Sequence, residues 1–315
     1  MNILGKWLKP RSELRKKLDR IDKVFDIDQV LIMDVDQSVI VDYYTQSNPG
    51  YSRFHSTDGS VHMALNFDGK FDRQGYYGQA DLAQKEIEQR KPSKVLELAC
   101  GKGFNSVYLA TKNPEIEFLG LDLTPVHVEI ASQTARDRNL NNLTIQQGDF
   151  HCLDYPDNSL DIIFVVESLC HAMNTQQVME ECHRALRPGG IFIVIDGFRK
   201  KPLEALISDE QKATMLVEKA MAVEKFLILD NFLHLARQSG FINQEYQDLS
   251  DAIMPNLKRL EGLARKFFRF SFLARRTAKV LPPYLVRNSI AGLLMPTTVG
   301  NGIHGYFVVK LTKSR

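Results

Sequence analysis

No apolar run in the chain approaches the roughly 20 residues needed to cross a bilayer, so a membrane-spanning helix is not expected. The 315 residues carry only four cysteines, Cys100, Cys152, Cys170 and Cys182, and none forms a C-x-x-C pair. That spacing argues against a zinc site or a disulfide framework and suits thiols kept in a reducing compartment. Met1–Pro10 lacks the apolar core, roughly 7–15 residues long, of a secretory signal, so the expected location is cytoplasmic. Internal repeats and low-complexity tracts are also missing. Charge of either sign is scarcely in excess: 40 basic against 38 acidic residues give +2. The length suits one large α/β core with additions, since single cores of that class reach about 250 residues.

What is present is concentrated in the middle of the chain. Lys94-Val95-Leu96-Glu97-Leu98 reads as a strand covered on both faces, followed by Ala99-Cys100-Gly101-Lys102-Gly103-Phe104-Asn105, a glycine loop opening a helix. Gly101 and Gly103 let the backbone turn and approach a ligand, and the helix then presents unpaired N–H groups to it. A second strand, Phe118–Leu121, ends at Asp122, 25 residues after Glu97. This is close to the roughly 20-residue offset at which a βαβ unit sets an acid on ribose hydroxyls. The dinucleotide frame G-x-G-x-x-G would need a third small glycine, where this chain has Ser106. Cys100 reads as a small buried residue rather than a nucleophile.

The run from Glu97 to Gly103 resembles motif I of the class I S-adenosylmethionine-dependent methyltransferases, with Ala99 in place of the more usual first glycine. The likeness continues in order. It implies cofactor contacts from Glu97, Ala99, Gly101 and Gly103, from Asp122 to ribose, from Leu123 to adenine, and from Asp149 and Phe150 of Gln147-Gly148-Asp149-Phe150 to the adenine edge. Leu160–Ser168 matches the fourth strand, with Glu167 at its cofactor-facing end, and Leu186-Arg187-Pro188-Gly189-Gly190 matches the turn before strand five. The implied cofactor is S-adenosyl-L-methionine, and no metal is required. Base-amino methylases of this fold often carry an Asn/Asp-Pro-Pro-aromatic element where this chain has Glu167-Ser168-Leu169-Cys170, which disfavours a nucleic-acid acceptor.

The expected fold is α/β, a Rossmann-like sheet with strands near 94–98, 117–121, 143–147, 160–166 and 190–196 and a final antiparallel strand over 305–311. Three regions follow: a partly helical N-terminal approach or lid over 1–90, a cofactor-binding core over 91–250 and 301–315, and a helical insertion over 251–300. Ser208-Asp209-Glu210-Gln211 reads as a capping box opening a long helix. Between Leu257 and Arg287 lie nine basic residues and one acid, a local +8 against −6 for the remainder. Leu260, Leu263, Ala264, Phe267, Phe268, Ser271, Ala274 and Ala278 recur at helical spacing among them. Two readings stay open: a cap over the active site, or a basic amphipathic surface on the inner face of an anionic membrane. RNA is a third, weaker one.

The acceptor is read from short elements. Tyr43-Tyr44, Ser60-Val61-His62-Met63-Ala64 and Glu167-Ser168-Leu169-Cys170-His171-Ala172 resemble the sterol 24-C-methyltransferase branch. This implies a small lipophilic acceptor of sterol, isoprenoid, quinone or fatty-acyl type, with Glu167, His171, Tyr44 and His62 as the candidate catalytic residues. The four-residue spacing would bring Glu167 and His171 together if a helical turn began there. The alternatives are an O-methyltransferase of a water-soluble metabolite, with His171 or His62 as base, and a cofactor-binding regulator without catalysis.

Overall fold

The computed structural model describes residues 12–56 and 59–314. Residues 1–11, which include the stretch read for a secretory signal, lie outside the described residues. Seven strands form one sheet in the order β3-β2-β1-β4-β5-β7-β6. They are β1 Lys94–Leu98, β2 Glu117–Asp122, β3 Leu143–Gln147, β4 Leu160–Val166, β5 Leu186–Arg199, β6 Phe241–Asp248 and β7 His304–Lys313. The first five run parallel, and β7 pairs antiparallel with both β5 and β6.

Strand periodicity sorts the core into two layers. Val95, Ile162, Phe164, Ile191 and Ile193 face one helical layer, while Leu96, Leu98, Ile163, Val165, Phe192 and Val194 face the other. A strand covered on both faces needs apolar residues throughout, which is why these segments lack alternation. The helices are α1 Glu13–Asp22, α2 Ile27–Leu31, α3 Gln37–Gly50, α4 Gly78–Arg90, α5 Phe104–Lys112, α6 Pro125–Asp137, α7 Thr175–Ala185, α8 Ser208–Ala220, α9 Leu229–Gln238, α10 Ser250–Phe267, α11 Ser271–Val280 and α12 Pro283–Gly300. Helices α1, α2, α8, α10 and α12 share a third core built on Leu18, Ile21, Leu216, Val217, Ile290 and Leu294.

The expected strands are present, with two differences. Strand β5 begins at Leu186, so the Arg187–Gly190 turn lies within it, and a register irregularity opposite Leu160–Ile162 absorbs the turn. Strand β6 was not anticipated: it is an edge strand with one neighbour, and its Ile242 and Tyr246 are exposed. The capping box is also shifted. Ser208 is the first helical residue of α8, Glu210 accepts from the Ile207 N–H at 3.4 Å, and isoleucine has no oxygen with which to reciprocate.

Helix α8 is anchored to the sheet through Glu218. Arg199 at the end of β5 donates to Glu218 at 2.7 and 2.5 Å, and the Phe226 N–H adds a third bond at 3.1 Å. The Glu218 side chain is 1% exposed and that of Arg199 11%. Removing one member of such a pair strands the other charge, so Glu218→Ala should cost about 3–5 kcal/mol in urea unfolding. A loss below about 1 kcal/mol would show the pair to be screened like a surface bridge.

Candidate active site

The chain reverses its lateral direction between β1 and β4, the place where an open parallel sheet leaves a crevice beyond its strand ends. Three residues just past β1 adopt left-handed conformations: Ala99 at φ 50°, Gly101 at 55° and Gly103 at 78°. A side chain at Gly101 would meet nothing within 4 Å, so its backbone lies open to the crevice. At Gly103, which caps α5, a Cβ would lie 3.0 Å from Ala131 Cβ on α6. One glycine therefore bares backbone to a ligand, and the other permits helix packing.

Strand periodicity puts Glu97 on the Val95 face, under α5. Its carboxyl accepts from Asn105 Nδ2 at 2.9 Å and from the Ser106 hydroxyl. Burial pushes it up to about 7. Glu97 thus braces the loop from beneath and does not reach the crevice wall. Asp122 lies on that wall and accepts at 2.8 Å from the N–H groups of both Gly101 and Thr124.

The crevice holds about 90 Å³, lined by Ala99, Gly101, Asp122, Leu123, Asp149 and Phe150. Helix α3 lies over it, contributing Gln37, Ile40, Val41 and Tyr44 to the wall. Three polar tethers hold α3 down. Gln37 Nε2 donates to Asp149 at 3.1 Å, the Tyr44 hydroxyl meets His171 Nε2 at 3.0 Å, and Lys102 donates to Asn48. Small-ligand sites occupy about 300–1,000 Å³, so this crevice is closed down beneath α3.

A second cavity, of about 500 Å³, opens on the other side of α3. Its wall is built from Leu257, Leu260, Leu263, Ala264 and Phe267 of α10, from Leu285, Ala291 and Met295 of α12, and from Tyr43, Tyr51, Phe54 and Met63. Val61 lines both cavities. The adjacent Tyr43 and Tyr44 face opposite sides, with Tyr43 on the large cavity and Tyr44 on the crevice. Tyr43 is fixed by Tyr51 at 2.7 Å and Asn288 at 2.8 Å.

One carboxyl interrupts the apolar wall. Glu167 follows β4 in a left-handed turn (φ 47°), and the little surface it retains opens onto the large cavity. Its Oε1 accepts from the Met63 N–H and the Tyr306 hydroxyl, each at 2.7 Å, while Oε2 has no partner among the described residues. Enclosure pushes the carboxyl up to about 8, against the opposing pull of those two bonds.

The expected pairing of Glu167 with His171 is not formed. The left-handed turn at Glu167 is followed by a short 3₁₀ turn over Leu169–His171, so four residues do not make one α-helical turn. His171 lines the crevice, 3.0 Å from both the Ala222 carbonyl and the Tyr44 hydroxyl. Its Nδ1–H donates to the carbonyl, leaving Nε2 to accept from Tyr44, and burial, pushing the ring down to about 4, keeps it neutral. His62 reaches neither cavity. It lies against Phe104 with ring centroids 5.6 Å apart, donates from Nδ1 to the Met63 carbonyl at 3.2 Å, and is held near 4 by burial.

Among the residues of this site that were not anticipated are Gln37, Tyr51, Tyr306 and His127, whose Nδ1 is 3.4 Å from Asp122. Tyr306 reads as core within an apolar strand, and Gln37 has no motif around it. Only His127, five residues beyond Asp122, sat close enough in sequence to be found.

A family model described as a methyltransferase domain matches residues 89–250, just over half of the chain. The chain belongs to the class I S-adenosylmethionine-dependent methyltransferases. The S-adenosyl-L-methionine-dependent Diels-Alderase iccD of Talaromyces variabilis is 31% identical over 170 residues, 52% of this chain and 58% of that protein. The sterol 24-C-methyltransferase ERG6 of Saccharomyces cerevisiae is 25% identical over 254 residues, 76% of this chain and 63% of that one. The chain thus spans less than two-thirds of either relative. Among solved structures, a geranyl diphosphate methyltransferase in complex with GPP and sinefungin superposes with a TM-score of 0.67 at 15% identity, covering 88% of this chain and 99% of that one, a likeness of fold. The family's cofactor is S-adenosylmethionine, and the crevice suits it: open glycine backbone at 101, the buried Asp122 carboxylate, and apolar Leu123 and Phe150.

Ala99 holds the left-handed turn at a cost that glycine avoids, about 1–2 kcal/mol. Set against the greater freedom of glycine in the unfolded chain, Ala99→Gly should raise the melting temperature. A lower melting temperature would contradict strain at this turn.

Enclosure or burial raises three carboxyls above their ordinary range: Glu167 to about 8, Glu97 to about 7 and Asp196 to about 6. The folded chain therefore holds protons that the unfolded chain releases, and this stability is present at low pH and lost as pH rises through each folded value. For Glu167 the loss runs from about 4.5 to about 8. Glu167→Gln should flatten the fall in chemical-denaturation stability across that window, and an unchanged slope would contradict the enclosure of this carboxyl.

Proposed function

We propose that the protein transfers the methyl group of S-adenosylmethionine to a lipophilic small molecule lodged in the large cavity, of sterol, isoprenoid, quinone or fatty-acyl type. The observation that carries this reading is the make-up of that cavity: about 500 Å³, walled mostly by aliphatic and aromatic side chains, with Glu167 as the one carboxyl among its lining residues and Val61 lining both it and the cofactor crevice. A water-soluble metabolite would leave most of its polar groups unpaired against so largely apolar a wall.

When bound, S-adenosylmethionine supplies an electrophilic methyl carbon. The chain contributes orientation and the exclusion of water, with α3 tethered over the crevice. For an alkene acceptor, the acceptor's π pair would form the new carbon–carbon bond to the methyl carbon that the bound donor supplies, and a cation would remain on the neighbouring carbon. The rings of Tyr43 and Tyr51 on the cavity wall stabilise such a cation. A proton then leaves that carbon, and Glu167 Oε2 is the available acceptor. Positive charge beside it favours the carboxylate that its enclosure otherwise disfavours. A histidine base for an oxygen acceptor has less support, because His171 Nε2 already accepts from Tyr44 and His62 reaches neither cavity. On this reading the acceptor comes from a lipid phase, with residues 257–287 in peripheral contact with an anionic membrane.

The test is to incubate the purified protein with methyl-labelled S-adenosylmethionine and a total lipid extract. Label should enter the organic phase, and Glu167→Gln should cut that transfer by about 100-fold or more while leaving donor binding intact. Label confined to the aqueous phase would overturn the lipophilic acceptor, and donor binding without transfer to any fraction would overturn the enzymatic reading.

A further inference from the structure

Helix α11 is the least embedded part of the 251–300 segment: of its ten residues only Ala274 is buried. Within and beside it, Phe270 is 58% exposed, Phe272 67%, Leu273 57%, Val280 82% and Leu281 42%. Single exposed apolar residues are ordinary, but five in one short segment form a patch that marks an interaction surface.

The charge around the patch has one sign. Arg269, Arg275, Arg276 and Lys279 are interspersed with the apolar residues, and no Asp or Glu follows Glu261 anywhere in the chain. Among the described residues Arg269, Arg276 and Lys279 form no ion pair. Arg269 instead lies over the Phe270 ring at 5.2 Å and Arg276 over Phe272 at 5.9 Å. A second copy of this helix would set like charge against like charge, whereas an anionic lipid surface offers phosphates for the cations and an apolar layer for the rings.

The patch is also continuous with the large cavity. Thr277 and Leu281 line that cavity, and three of its lining residues, Phe54, Lys266 and Leu281, are exposed. The cavity mouth therefore opens on the same face as α11.

We propose that α11 docks the protein on an anionic membrane surface, with Phe270, Phe272, Leu273, Val280 and Leu281 entering the interface and Arg269, Arg275, Arg276 and Lys279 meeting lipid phosphates, so that the cavity mouth faces the leaflet. Delivery of an acceptor through that mouth rests on the lipophilic reading above. The docking itself does not.

The experiment is co-sedimentation of the full chain with vesicles of phosphatidylcholine alone and of phosphatidylcholine with about 30 mol% phosphatidylglycerol, at low and high salt. The expected result is binding to the anionic vesicles only, weakened by salt. Each basic residue near the surface contributes about fivefold, so Arg269→Glu, Arg276→Glu and Lys279→Glu together should weaken it by about 100-fold or more. Phe272→Ser with Leu273→Ser should remove the part of the binding that survives high salt. Unchanged melting temperature and donor binding in both variants show that they remain folded. Failure of the wild-type chain to bind anionic vesicles at low salt overturns the proposal. So does a dimer in solution that Phe272→Ser with Leu273→Ser dissolves, or single-stranded RNA binding that outcompetes the vesicles. Label entering lipid in detergent without vesicle binding would sink the docking alone, and vesicle binding without any lipid labelling would sink the acceptor reading alone.

Discussion

A carboxyl group in an apolar wall is costly unless hydrogen bonds or a proton neutralise the cost, and the arrangement around Glu167 uses both. Its Oε1 is held by the Met63 N–H from the segment before the core and by the Tyr306 hydroxyl from β7. Tyr306 is itself held by Gln79 of α4 at 3.0 Å, and the Gln79 amide also donates to the Met63 carbonyl at 2.6 Å. One carboxyl at the end of β4 thus joins the parallel half of the sheet, its antiparallel edge, α4 and the N-terminal segment. The left-handed turn at Glu167 is part of this arrangement. Backbone strain of that kind persists where surrounding bonds over-determine it, and such places cluster at functional sites.

The partition between the two cavities follows from consecutive residues on one helix. Adjacent positions on an α-helix point about 100° apart, which lets Tyr43 and Tyr44 reach different spaces from the same turn. Tyr43 is directed to the large cavity by Tyr51 and Asn288, and Tyr44 to the crevice by His171. Their rings meet edge to face, with centroids 5.0 Å apart. Helix α3 is therefore at once the roof of the crevice and part of the wall of the cavity. Its tethers to the crevice wall are polar bonds, each worth about 1 kcal/mol net, while Val39, Ile40, Tyr43 and Tyr44 also pack in an apolar cluster with Tyr284 of α12.

What the sequence made legible were features encoded locally. The β1 strand, the glycine loop and the acids at 122 and 149 could be read because strand tip, turn and helix follow one another at fixed spacing. Ala99 was recognised as a departure from the family pattern, and its φ of 50° shows why glycine is usual there. Glu97 was legible as a motif residue but not as a brace, because its direction depends on which face of β1 lies under α5. The tethers were illegible for a different reason: Gln37 and Asp149 are 112 residues apart, and Glu167 and Tyr306 are 139. The expected Glu167–His171 contact failed because i,i+4 spacing carries information only inside a helix, and β4 ends instead in a left-handed turn.

The 251–300 segment gives one stretch of chain two surfaces. In α10, Leu257, Leu260, Ala264 and Phe267 recur at three- and four-residue intervals and line the large cavity, while Lys258 and Arg265 fall between them and are exposed. Arg265 is tied to Glu261 and Glu13, and Lys17 also pairs with Glu261, so the acids near α10 are already engaged by basic partners on α1 and α10. Of the cations of α11, Arg275 donates to the Lys23 carbonyl, and Arg276 and Lys279 form no ion pair among the described residues. A helix that served only to cover a cavity would turn its apolar residues inward, as α10 does. In α11 Phe272 and Leu273 point outward while Thr277 lines the cavity. The difference between the two helices thus lies in where their apolar residues face, and composition alone does not distinguish them.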